Sequence, residues 1–510
     1  MLSNLTGTDT RNHHSFPTFA RTTREQVRNY LRTGTLSGTF YVGGKEMAQE
    51  QLLMLRRLAD QDPAALCEEA VAARQDGFMR TLPVLATAVL SGVPGKQPFQ
   101  QAAAGVLQIP TDVAQFAELC LSGTVPGRTS LGGCALIPVR LFLEAISEYH
   151  ALKYAAKLVN LVRLAHPRPS DDVMRERLGW LSGRVGGKSV RLNRRIAAFE
   201  ELKRTTDEAR VIELIRSAGL PYECVVGVVS NPSPAIWAEL LRVAPTMNLL
   251  RSLATFTRHG VFQERSNVHV AAEKLSREGA LQQSRIFPHQ VFTAWRTYSA
   301  LPEADGVIVA ALSDMLDGSV AAIPAFKGRT CIAPDVSGSM QSTRLSEKSE
   351  TTAADVAGVF TAGILRRCTD ARVLPFDTYI HPLALNPRDS VLSNARKVAE
   401  VGGGGTSLSA PITQLLRERD RVDTFIGITD NEEWVGKGFL QVWREYRRTV
   451  APNATAILIT PVPGKHCAVP ESEPGVHFVH GWSDSVFRFA AEAAGASHPG
   501  QEESEESDSE

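Results

Sequence analysis

Cysteine is scarce and scattered: seven in 510 residues, at positions 67, 120, 134, 224, 331, 368 and 467. The count is odd and no C-x-x-C pair occurs, which argues against a disulfide scaffold or a cysteine-built zinc site and leaves free thiols as the expected state. Long apolar runs are missing too. No stretch of about 18 apolar residues exists to span a bilayer, and the opening MLSNLTGTDTRNHH lacks the apolar centre of a secretory signal, so the expectation is a cytoplasmic protein without membrane contact. Net charge is also absent, with 55 Lys plus Arg against 55 Asp plus Glu. At 43% hydrophobic and 22% charged the composition is that of folded domains, of which this length predicts about two to four.

The zero charge conceals a partition. Residues 1–330 hold 38 basic and 30 acidic side chains, residues 331–500 hold 17 and 19, and residues 501–510 hold 6 acidic and no basic ones. Residues 151–200 carry 11 Lys or Arg against 4 Asp or Glu, nearly the whole basic excess of the first segment. Such a concentration is the footprint expected of a phosphate-binding surface. Within it Lys188, Arg191 and Arg195 fall at i, i+3 and i+7 and are expected to share one helix face. Arg251, Arg258, His259, Arg265 and Arg285 make a second basic set. A solvated face with no partner is the competing reading of such charge runs.

From about residue 22 to 300 the pattern is helical, broken by Gly and Pro. Leu52, Leu53, Leu55 and Leu58 recur at helical spacing, as do Phe116, Leu119 and Leu121 after Thr111-Asp112. Val139 to Ala165 reads as one long helix or a broken pair, stopped by Pro167 and Pro169. The segments are short and amphipathic, so they must stack to bury their apolar stripes, which predicts a helical repeat array. After Phe326 short β-rich runs alternate with helical ones, at Thr330 to Ala333, Arg372 to Pro375, Thr424 to Thr429, Ala454 to Thr460 and Val476 to Val479. That alternation predicts a doubly wound parallel sheet. The domain reading is a flexible N-terminus (1–21), a helical repeat domain (22–325), an α/β domain (326–498) and a disordered acidic tail (499–510).

The first strand of the α/β domain runs into Asp335-Val336-Ser337-Gly338-Ser339, at the carboxyl edge where open α/β sheets bind ligands. Gly402 to Gly405 leads to Thr406, and another buried strand ends in Thr429-Asp430-Asn431-Glu432. Asp335, Ser337, Ser339, Thr406 and Asp430 form a hard, all-oxygen donor set suited to Mg²⁺, with positions left for water or a partner's oxygen. The set contains no evident nucleophile or base, so the protein is expected not to be an enzyme. Pro334 forfeits a ladder hydrogen bond and is expected to end the strand. His13 and His14 fall in the N-terminal segment, and His466-Cys467 has no partner at metal-ligand spacing. Trp434 and Trp482 read as packing residues.

These five residues resemble the metal-ion-dependent adhesion site of the von Willebrand factor A fold. The phrase Thr429 to Glu432 looks like the version found in Ro proteins, where a ring of HEAT-like helical repeats, the TROVE domain, precedes such a domain. Gly38 to Tyr41, Gln108 to Thr111, Leu161 to His166, Leu249 to Leu253 and Ser284 to Pro288 are similar, in order, to signatures of that family. The resemblance covers the chain apart from its first twenty residues and its tail. It implies a monomeric ring that binds small noncoding RNA, taking single-stranded 3′ ends of misfolded or damaged RNA in its cavity and Y RNA on its outer surface. In bacterial members it implies partnership with an exoribonuclease. His166 matches an RNA-contacting His of the family, and Lys153 falls where a contacting Arg is expected. The stretch Tyr149 to Ala156 departs from the family's Lys-Tyr-Lys-x-Arg-x-Gly-Trp signature, which puts Y RNA binding in question. The expected RNA contacts are therefore Lys153, His166, Lys188, Arg191, Arg195, Arg251 and Arg285. The alternative function is a protein-binding adaptor whose metal grips an acidic side chain of a partner.

Overall fold

The structure, a computed structural model, describes residues 8–34, 44–125, 127–183, 193–277, 281, 286–321, 323–345, 350–482 and 484–495; the side chains of 44–47 and 484 are not described. Helices follow one another from Thr23–Thr33 to Gly306–Ser319. Local chemistry sets their ends. Thr22 and Glu25 form a capping box, Asp62 caps a helix whose first residue is Pro63, and Ser147, Asp171, Asn193, Asp207 and Asp305 each accept an amide of the first turn. Such caps satisfy amides that the helix cannot pair internally. The stretch left open between one helix and two is a pair, Leu136–Glu144 and Glu148–Ala165. At Thr111-Asp112 the first helical residue is Pro110, and Asp112 accepts the amides of Gln108 and Ile109. Leu53, counted above with the apolar stripe, is 69% exposed.

The α/β domain is built on a parallel sheet of β3 (Phe326–Pro334), β4 (Cys368–Val373), β5 (Thr424–Ile428), β6 (Thr455–Thr460) and β8 (Val476–His480) in the order β4-β3-β5-β6-β8. The strand period of two divides its side chains between two cores. Ile332, Ile426, Ile457 and Ile459 join the core that also contains the helical array and the helix Ala353–Arg367. Cys331, Ala333, Phe425, Ala456 and Leu458 pack on the other face, against the helices Ser409–Glu418 and Phe439–Thr449. As expected, β3 ends at Pro334, beside Ile428 of β5.

The array grips this domain at both ends, which closes the chain into a ring. At the carboxyl end, Thr293 Oγ1 meets Thr351 Oγ1 at 2.8 Å, Arg296 pairs with Asp355, and Asp317 pairs with Arg366 at 3.1 Å and accepts the Val391 amide. At the amino end, Asn29 is fully buried; its Nδ2 lies 3.0 Å from His480 Nδ1 and its Oδ1 accepts the Gly464 amide at 2.7 Å. Lys465 pairs with Glu50 at 2.6 Å.

The expectation of a flexible N-terminus is corrected for residues 8–21. β1 (Thr10–Arg11) and β2 (Pro17–Ala20) pair antiparallel, and β2 pairs in turn with β7 (His466–Cys467). Phe16 and Phe19 are buried, and the Thr18 hydroxyl donates to the Cys467 carbonyl at 2.7 Å, so apolar burial and edge pairing hold the segment. The acidic tail lies outside the described residues. Among the described residues no helix is long and apolar enough to cross a membrane.

Replacing Asn29 by Ala leaves the Gly464 amide and a buried imidazole without their partner, and is expected to lower stability by about 2–3 kcal/mol. Urea unfolding checks this; an unchanged midpoint would remove Asn29 from the closure.

Candidate functional site

β3 and β5 are neighbours from which the chain departs in opposite directions, to β4 on one side and β6 on the other. The crevice at their carboxyl ends is therefore the switch point at which doubly wound sheets hold ligands. Asp335 follows β3, and its amide donates to the Ile428 carbonyl at 2.9 Å. Its Oδ1 accepts the Ser337 amide at 2.9 Å and its Oδ2 accepts the Thr429 hydroxyl at 2.7 Å. Ser337 Oγ lies 3.2 Å from Ser339 Oγ, and Ser339 donates to Asp430 Oδ2 at 2.6 Å. Asp430 Oδ1 accepts the Glu432 amide. Four of the five expected metal residues thus lie in one buried hydrogen-bonded network.

Thr406, also buried, arrives on the loop laid against the same turn. The Gly403 amide donates to the Val336 carbonyl at 2.8 Å, and the Gly338 amide to the Gly404 carbonyl at 2.9 Å. A side chain at Gly402, where φ is +84°, would place its Cβ 2.5 Å from the Val336 carbonyl oxygen, so this close approach requires glycine. Asp377 holds the loop from behind by accepting the Gly404 amide at 3.0 Å. Asp377 and Thr429 were not singled out from the sequence. Thr429 stands inside a motif that was noticed, whereas Asp377 is brought in by chain folding and has no local signal.

Burial pushes the carboxyls of Asp335 and Asp430 up from their ordinary range, and the charge of Asp430 on Asp335 and of Glu432 on Asp430 pushes the same way. Among the described residues no Lys or Arg pairs with either aspartate; hydroxyls and amides are their recorded hydrogen-bond donors. Two buried acids beside hydroxyl oxygens, with no paired Lys or Arg among the described residues, are a donor set that fits a hard dication such as Mg²⁺. Asp335, Ser337, Ser339, Thr406 and Asp430 would hold it.

The expected RNA contacts are dispersed. Lys153 is held by Glu223 and by the Tyr149 hydroxyl at 3.0 Å; burial pulls its pKa down, but those two partners carry it above the ordinary lysine value. His166 is exposed, in the left-handed conformation that ends the helix Glu148–Ala165, and a kink at Tyr154 separates it from Lys153. Arg195 donates to the Ala218 carbonyl at 3.1 Å and pairs with Glu148 at 3.4 Å. Lys188, Arg191 and Arg285 lie outside the described residues. The shared helix face expected for Lys188, Arg191 and Arg195 is corrected: Asn193 is an extended N-cap, so the helix starts at Arg194 and cannot run back through it.

Arg251 is exposed and, among the described residues, is not held in an ion pair. It lines a cleft of about 460 Å³ where the array meets the α/β domain, with Leu250, His289, Thr293 and Trp482. Burial pushes the His289 imidazole down to about 4, so it is neutral at physiological pH. Trp482, read from sequence as packing, is half-buried here and stands 6.1 Å edge-on from His289.

The architecture is an α-helical repeat array closed by a von Willebrand A-type domain. Residues 329–488 match the family described as the Ro60 vWA domain, and residues 228–304 match the TROVE domain. The chain is 25% identical over 444 residues to the RNA-binding protein RO60 of Deinococcus radiodurans, covering 81% of each. It is 24% identical over 302 residues to the RNA-binding protein RO60 of Caenorhabditis elegans, covering 57% of this chain and 46% of that one. The crystal structure of the Deinococcus radiodurans RO (RSR) protein shares the fold, with a TM-score of 0.69 at 22% identity over 92% of this chain and all of that one. Over these segments, and along most of its length, the chain is similar to Ro proteins.

The Asp335→Asn variant relieves the repulsion between the two buried acids. Without metal it is expected to be more stable than the parent, by about 1–2 kcal/mol, and to lack the rise in melting temperature expected of the parent in Mg²⁺. Calorimetry with and without Mg²⁺ checks both; an equal magnesium response in the variant would contradict the assignment.

Proposed function

We propose that this chain binds small noncoding RNA and takes single-stranded 3′ ends of misfolded or damaged RNA at the cleft between the helical array and the A-type domain. The observation that carries the reading is Arg251, unpaired among the described residues, in a cleft with a half-buried tryptophan and neutral polar groups. An arginine places a phosphate, and an aromatic face stacks a base without regard to its identity. The likeness to proteins named as RNA-binding supports it. Lys153 and Arg195 are engaged in ion pairs, which makes them secondary contacts, while His166 is exposed to solvent.

In this reading the protein is a scaffold of RNA quality control or stress response, not a nuclease, and an exoribonuclease is the partner that trims what the ring presents. Mg²⁺ at the A-type domain recruits an acidic side chain of a protein partner. The buried carboxylate pair also fits a purely protein-binding adaptor, the second reading. The two separate in one assay. Filter binding of a duplex RNA with a 3′ tail should show retention that falls steeply with salt, through counterion release, and exceeds that of the blunt duplex. Arg251→Ala is expected to weaken tailed binding about tenfold, the cost of one charge-assisted hydrogen bond. Equal retention of blunt and tailed RNA would overturn the cleft reading, and no RNA retention beside magnesium-dependent protein capture would favour the adaptor.

A further inference from the structure

The N-terminal hairpin carries two histidines to the edge of the A-type domain, and the turn that aims them is tightly held. Asn12, 6% exposed, accepts the amides of His14 and Phe16 through its Oδ1 at 3.0 and 3.1 Å, and its Nδ2 donates to the Glu433 carbonyl. The Asn12 amide donates to the Phe16 carbonyl and its own carbonyl accepts the Ser15 amide. Ser15, at φ +60°, completes the reversal. His14 stacks on Trp434 with ring centroids 5.0 Å apart, and His13 stands edge-on to His466 at 5.5 Å.

His466 Nδ1 lies 3.2 Å from Glu432 Oε1. Glu432 is 4% exposed, and its second oxygen, Oε2, is buried with no hydrogen-bond partner among the described residues. One donor atom each from His13, Glu432 and His466 lies within 4.8 Å of the other two. A tetrahedral ion with bonds of about 2.0–2.1 Å needs donors about 3.3 Å apart, which a small movement of the exposed His13 supplies.

We propose that His13, Glu432 and His466 form a second metal site, for a transition dication of the zinc class. The chemistry differs from that of the Asp335 site. Two imidazoles and one carboxylate suit zinc, cobalt or nickel, whereas the all-oxygen set suits magnesium. The ligands come from three separate places: the hairpin turn, the loop that carries Asp430, and the start of β7. An ion here ties the N-terminal hairpin across the seam, and through the Glu432 amide bonded to Asp430 Oδ1 it adjoins the magnesium loop. A fourth position stays open to water or an incoming donor.

Co²⁺ is the probe, because its visible absorption reports nitrogen and oxygen coordination directly. The full chain, free of any histidine tag, is titrated with Co²⁺ in saturating Mg²⁺, and Zn²⁺ is then added. The parent should take up one equivalent of Co²⁺ that Zn²⁺ displaces, and Asp335→Asn should do the same. His13→Ala and His466→Ala should each weaken binding more than about tenfold, since losing even a residue that merely orients a ligand costs about 10–100-fold. His13 is exposed, so its variant keeps the fold, which circular dichroism verifies. Undiminished Co²⁺ binding in folded His13→Ala, or loss of the signal in Asp335→Asn with both histidines intact, would overturn the proposal.

Discussion

The helical array and the sheet share one hydrophobic core. The apolar cluster that begins at Val27 in the first helix continues through the array and takes in Ile332, Ile426, Ile457 and Ile459 on one face of the sheet. Short amphipathic helices cannot hold themselves together in water, so each depends on its neighbour, and a chain of such dependences needs covered ends. Here one domain covers both. The seam is polar where it must be specific: Asn29, His480, Asp317 and Arg366 fix register, while the burial beneath them supplies the cohesion.

Closure brings the Asp430 loop close to the array. The loop after β6 that meets the array also lies against Asp430, whose carbonyl oxygen is 3.7 Å from the position a Cβ at Gly464 would take. Gly464 and Lys465 meet the first helices, while Asp430 to Glu433 face the carboxyl edge and the N-terminal hairpin. The proposed hard-ion and nitrogen-rich sites share the loop from Asp430 to Glu432.

How much of this the sequence disclosed depends on the range of the signal. β5 and β6 are central strands, buried except at Thr455, with continuous apolar runs, and they were read to within a residue or two. Asp335, Ser337, Ser339 and Asp430 were legible because a strand followed by short polar residues fixes their place at the edge, and Thr406 because the glycine run before it lets its loop approach closely. β1 and β7 were not, since a strand of two residues has no pattern, and β2 finds β7 across some 450 positions. The basic face from Lys188 to Arg195 was drawn from periodicity alone, although Asn193 is a residue type that caps helices. Lys153 lost its freedom to Glu223, 70 positions away. The same blindness to distance hid His13 beside His466.

The central claim is that RNA ends enter between the array and the A-type domain. Photocross-linking of a 3′-tailed RNA bearing a reactive base near its end, followed by mass spectrometry of the adducts, tests it most directly. The account predicts adducts on the helices Thr246–Arg258 and Pro288–Ser299 and on the segment around Trp482. Adducts confined to surfaces away from that cleft, at saturating RNA, would contradict it.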